Sequence, residues 1–117
     1  MITVTLPWPD KLLSPNARAH HFARSRAAGI ARRQAWGLTL EAAGSSPSWA
    51  KNGARLSWQF CPPSHRRYDT DNLIAQHKAA QDGIADALGV DDSRFVSTYS
   101  IGEPIKGGAV IVTVTGE

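Results

Sequence analysis

Ala54-Arg55-Leu56-Ser57-Trp58-Gln59-Phe60-Cys61 alternates apolar and polar side chains, which puts Leu56, Trp58 and Phe60 on one side of an extended chain. Pro62 to Tyr68 has loop composition, and Asp69-Thr70-Asp71-Asn72 is a run of helix-capping residue types. Beyond it the period changes. Leu73, His77, Ala80, Ile84 and Leu88 recur at steps of four and three, the apolar stripe of a helix that Gly89 would end. Downstream, Phe95 to Ile101 reads as a strand, and after a Gly102 to Gly108 turn Ala109 to Thr115 is a β-branched run suited to a buried strand. Upstream, Ile2 to Leu6 alternates and is ended by Pro7-Trp8-Pro9. Ser14-Pro15-Asn16 approaches a helix over His21 to Ala43, with Gly29 and Gly37 as points where it would kink, and Gly44-Ser45-Ser46-Pro47-Ser48 has loop chemistry. The order β-α-β-α-β-β predicts an α+β fold, a four-stranded mixed β-sheet with two main helices, in one domain over residues 1–117.

A chain of 117 residues suits one core, and no apolar run reaches the roughly 18 residues a membrane span needs, so no membrane partner is expected. The N-terminus lacks the charged start and long apolar stretch of a signal peptide, which favours a cytoplasmic location. Cys61 is the one cysteine, so it forms no internal disulfide and reads as a small apolar residue. The charge is polarised along the chain. Ten cations lie between Lys11 and Arg67 with Glu41 the one acid among them, whereas Asp69 to Asp92 holds six aspartates and only Lys78. A basic region suits a phosphate backbone, and carboxylates clustered beside it suit DNA only if a cation sits among them.

On a helix turning about 100° per residue, Asp71, Lys78 and Asp82 share one face. Asp69 stands at the entry to that helix, and Asp91 or Asp92 offers a third carboxylate. Carboxylates held this close repel unless neutralised, and Mg²⁺, with Mn²⁺ as a substitute, prefers such oxygen ligands together with substrate phosphate oxygens. Phosphodiester hydrolysis is the matching reaction, with Lys78 placed to stabilise charge on the phosphate. The structural alternative gives the same residues other tasks: Asp69 and Asp71 capping the helix, and Lys78 with Asp82 forming a surface ion pair.

Arg66-Arg67-Tyr68-Asp69-Thr70-Asp71-Asn72-Leu73, then Lys78, Asp82-Gly83 and Gly89-Val90-Asp91-Asp92, resembles the signature of the RusA family of Holliday-junction resolvases, found in bacteria and their prophages. Leu6-Pro7-Trp8-Pro9 and Leu13-Ser14-Pro15-Asn16-Ala17-Arg18 with His20 are similar to the front of that family, so the resemblance covers almost the whole chain. It implies a homodimeric, Mg²⁺-dependent endonuclease that cuts four-way DNA junctions in recombination and repair. By matching position it implies metal ligands Asp69, Asp71 and Asp92, with Asn72 beside them, and a catalytic Lys78. Position 75, where family members often carry the lysine, is Ala75 here, and Lys78 stands about one turn later. Competing functions are a nuclease for other branched or flap DNA and a non-catalytic DNA-binding homodimer.

Arg66 and Arg67 are placed to hold phosphates flanking the scissile bond, and Asn16, Arg18, Arg24 and Arg26 to extend the DNA surface, with Arg32 and Arg33 further along the first helix. His20, His21 and His65 lack ligand spacing with the aspartates and read as surface residues, while His77 lies on the apolar stripe. Trp8, Trp36, Trp49 and Trp58 read as core or interface anchors.

Overall fold

The computed structural model describes residues 1–18, 20–44 and 48–116; Ser45, Ser46 and Pro47 of the anticipated loop lie outside them. Four strands, β1 (Ile2–Pro7), β2 (Ala54–Cys61), β3 (Phe95–Ile101) and β4 (Ala109–Gly116), form one mixed sheet in the order β1-β4-β2-β3. β4 runs antiparallel to both β1 and β2, and β3 parallel to β2. A parallel neighbour requires a crossover, and residues 62–94 supply it. The α+β architecture with a four-stranded mixed sheet is the one the sequence predicts.

The sheet buries one face. Val4 and Leu6, Leu56, Trp58 and Phe60, and Val110, Val112 and Val114 are all within 4% of full burial. The register sets Leu56 beside Val114, Trp58 beside Val112 and Phe60 beside Val110, so the alternation of each strand adds to one apolar layer. The opposite face carries Thr3, Thr5, Ser57, Gln59, Thr98 and Ser100, all exposed. Cys61 is buried, as a small apolar residue would be.

Helix α1 (His21–Ala43) runs unbroken through Gly29 and Gly37 and ends at Gly44. The anticipated second helix is two: α2 (Thr70–Gln76) and α3 (Lys78–Leu88), parted at His77. There the backbone N–H of His77 bonds the Ile74 carbonyl, three residues back, while its ring Nδ1 reaches the Leu73 carbonyl that a regular helix would have given to that N–H. The helix tightens for one residue and resumes with the Gln81 N–H bonded to the His77 carbonyl. The stripe survives the break: Leu73, His77, Ala80, Ile84 and Leu88 are all buried.

Gly83 lets α3 lie close against α1. A Cβ there would fall 2.2 Å from the Arg32 carbonyl oxygen and 2.9 Å from the Ala35 Cβ. Small residues on both sides, with Ala27 and Ala35 buried on α1, permit this approach. At the rim Arg32 of α1 grips Asp86 of α3 with two hydrogen bonds, 2.7 and 3.0 Å; exposed as it is, the pair contributes little to stability but fixes the crossing. No helix among the described residues is long and apolar enough to cross a membrane.

Candidate nucleic-acid groove and carboxylate cluster

The loop after β2 delivers Arg66, Arg67 and Tyr68 to the head of α2. Asp69 caps that helix, its Oδ1 accepting from the backbone N–H groups of Asp71 (2.9 Å) and Asn72 (3.5 Å). Tyr68 is half-buried, its hydroxyl 3.3 Å from the Ser64 Oγ and its ring edge-to-face with Trp8 at 5.6 Å. The Arg66 guanidinium carbon sits 4.8 Å from the centre of the Tyr68 ring, a cation–π contact.

Opposite this loop stands the segment that follows β1. Arg24 ties it down: its Nη2 donates to the carbonyls of Ser14 (3.2 Å) and Ala17 (2.7 Å). Arg24, anticipated on the DNA surface, is therefore turned inward and positions Asn16 and Arg18. Between the two segments lies a groove of about 690 Å³. Lys11, Asn16 and Arg18 line one wall, Arg66, Arg67 and Asp69 the other, with Trp8, Tyr68, Asn72 and Gln76 between. Four cations against one carboxylate make it attractive to a polyanion. Arg26 lies on the exposed side of α1, outside the groove lining, and Arg32 is engaged by Asp86.

The second half of the constellation centres on Lys78, the first residue of α3. Its Nζ donates to Asp82 Oδ1 at 2.8 Å, one turn along, and to Asp92 Oδ2, in the short 3₁₀ turn Asp92–Arg94 before β3. Of the Asp91-Asp92 doublet, Asp91 caps that turn by accepting from the Ser93 N–H at 2.9 Å, and Asp92 is the member facing the lysine. The contacts are reciprocal in charge. Its hydrogen bonds to Asp82 and then to Asp92 raise the Lys78 ammonium above its ordinary pKa, and the Lys78 hydrogen bond holds the Asp92 carboxyl below the usual carboxylate value. Beside them Asp82, Asp86, Asp91 and Asp92 border a shallow recess of about 190 Å³ with Arg32 at its edge.

The structure thus brings together Lys78, Asp82 and Asp92, and separately gathers Asn16, Arg18, Arg66, Arg67, Asp69 and Asn72. Asp71 is exposed in the first turn of α2, across the break at His77 from Lys78. Among the described residues no group of three or more His, Cys, Asp or Glu is close enough to hold a metal ion. Asp69, Asp71 and Asp92 offer the hard oxygen donors that Mg²⁺ takes, but they do not converge within one chain in this arrangement.

No family model matches the chain. An uncharacterized protein of Xylella fastidiosa (strain Temecula1) is 45% identical to it over 118 residues, spanning 99% of this chain and 77% of that protein. The chain belongs to the same family as this Xylella protein. The relationship covers the groove and the carboxylate cluster together.

Sequence reasoning did not single out Lys11, Tyr68 and Gln76 as groove residues, and read Trp8 as an anchor. Trp8 is half-buried against the core and also lines the groove. The available signal was adjacency: Tyr68 follows the double arginine, and Trp8 lies between two prolines that hold its backbone extended. The surface histidines are exposed as anticipated, and His20 caps α1, its Nδ1 accepting from the Phe22 N–H at 3.3 Å. Trp58 is a core residue, whereas Trp36 and Trp49 are exposed.

Proposed function

We propose that this protein is a Mg²⁺-dependent, structure-selective endonuclease that hydrolyses phosphodiester bonds of branched DNA, four-way junctions in particular, as a homodimer in the manner of the RusA resolvases that its motifs resemble. The observation that carries the reading is the groove: Lys11, Arg18, Arg66 and Arg67 from two distant segments face one another and lead to Asp69. A neutral or acidic surface would repel a phosphate backbone, while four cations attract one and fix its register without reading its sequence.

Within the chain, Arg66 and Arg67 hold phosphates beside Asp69. Lys78, charged well above neutral pH and paired with Asp82 and Asp92 outside the groove, would stabilise negative charge on a phosphoryl group brought to that cluster. The Mg²⁺ requirement comes with the family resemblance. The three matched carboxylates do not converge in a single chain among the described residues.

A second reading, a DNA-binding protein without catalysis, is favoured by the tasks the acids already perform: Asp69 caps α2, Asp91 caps its turn, and Asp92 is neutralised by Lys78. The two separate on one comparison. Wild-type protein and Asp71→Asn are incubated with an end-labelled four-way junction in Mg²⁺ or in EDTA, and binding is measured in parallel. The nuclease reading expects wild-type cleavage in Mg²⁺ alone, with the variant binding normally and losing cleavage about 100-fold or more. Undiminished turnover by the variant contradicts the assignment, and binding without cleavage by the wild type supports the second reading.

A further inference from the structure

We propose that the groove between the β1–α1 segment and the β2–α2 loop takes a single unpaired nucleotide of DNA, with its base stacked at Trp8 and Tyr68 and its phosphates on the flanking cations. The inference rests on the nucleic-acid reading above and goes further by naming what enters the groove. A duplex backbone is a convex ridge of phosphates, and an open basic surface suffices to bind it. Here the cations flank an open recess of about 690 Å³, a size that suits a small molecule, and Trp8 and Tyr68 are part of its lining.

Trp8 and Tyr68 meet edge-to-face at 5.6 Å and both line the recess, so a base entering it would meet aromatic surface. Both are preset. A Cβ on Gly108 would lie 2.8 Å from the Trp8 Cβ and Cγ, so the indole is seated against bare backbone, and Tyr68 is held by Ser64 and Arg66. Asn72 and Gln76, four residues apart on α2, line the same recess, and no hydrogen bond among the described residues uses either side-chain amide. An amide reads a base edge through its paired donor and acceptor, most favourably that of adenine. Three chemistries therefore coincide in one cavity: charge for phosphate, aromatic surface for a base face, and amides for a base edge. A branch point supplies unstacked bases at lower cost than continuous duplex, so this groove would favour branched over linear DNA before any bond is cut.

The test uses the full chain in EDTA with three oligonucleotides: a paired duplex, the same duplex with one bulged 2-aminopurine, and the same duplex with an abasic bulge. The expected result is binding of the bulged base about 5- to 100-fold tighter than the abasic bulge, with quenching of the 2-aminopurine emission. Trp8→Leu and Tyr68→Leu are expected to remove that preference, and Gln76→Ala, on the half-exposed side of α2, to reduce it without touching the core. Equal affinity for base and abasic bulges overturns this proposal and leaves the nuclease reading intact. Failure to bind any of the three overturns both.

Discussion

Gly83→Ala sets two opposing effects against each other. In an ordinary helix interior the change stabilises by about 1 kcal/mol, because alanine loses less backbone entropy. At Gly83 the added methyl would sit 2.2 Å from the Arg32 carbonyl oxygen, 3.0 Å from its carbonyl carbon and 2.9 Å from the Ala35 Cβ, whereas ordinary contact begins at 3.4 Å. Each obstacle is backbone or a Cβ, so no rotamer change gives relief. The helices must part by about 1 Å, which costs on the order of 1–3 kcal/mol for overpacking and loosens contacts around Ile84 and Leu88. The expected net effect is a loss of about 1 kcal/mol, read as a lower urea midpoint by Trp fluorescence and a fall in Tm of roughly 5 °C. Gly29→Ala and Gly37→Ala are the controls. Nothing lies within 4 Å of either new methyl, so each is expected to gain about 0.5–1 kcal/mol. A Gly83→Ala protein as stable as wild type, or a Gly29→Ala protein as unstable as Gly83→Ala, refutes the close crossing of α1 and α3.

Lys78→Met removes the cation that holds the Asp92 carboxyl below its ordinary value, so that carboxyl should titrate nearer the usual range by NMR; an unchanged titration contradicts the pairing. Asp92 is depressed, so its contribution is present above the ordinary carboxylate value and is lost only as pH falls through the lower folded one. His77 is pulled below its ordinary 6.5, chiefly by burial, although its bond to the Leu73 carbonyl acts the other way. The unfolded chain then takes the proton first, so stability is full above 6.5 and erodes as pH falls below it, an erosion that His77→Leu should abolish in melting curves run from about pH 7.5 to about pH 5. Arg66→Ala and Arg67→Ala are each expected to weaken duplex binding and to lower the slope of log affinity against log salt by about 1; an unchanged slope places that side chain off the phosphates.

The bounds of β2 and β3 were legible because a one-sided sheet stamps its period on every strand that crosses it: a one-residue slip would turn Leu56, Trp58 and Phe60 together to the exposed face. The stripe from Leu73 to Leu88 was legible for the same reason. Strand order was not, since all four strands share that pattern and nothing local assigns β1 to β4. The break at His77 left no trace either, because a one-residue tightening keeps the ring on the buried face, and the ring replaces the lost backbone bond. Among the arginines, sequence could not tell Arg66, in the groove, from Arg24, whose partners are the carbonyls of Ser14 and Ala17, or from Arg32, whose partner is 54 residues away. Such pairings exist only once the chain has folded. Lys78 with Asp82 was readable as an i,i+4 pair, while its bond to Asp92 depends on how the turn before β3 meets α3.

The most direct measurement is strand cleavage of three end-labelled substrates, a four-way junction, a flap and a linear duplex, by the wild-type protein with and without Mg²⁺. A structure-selective nuclease cuts the junction in Mg²⁺, leaves the duplex intact and does nothing in EDTA. Tight binding to all three with no strand cut under any condition would contradict it.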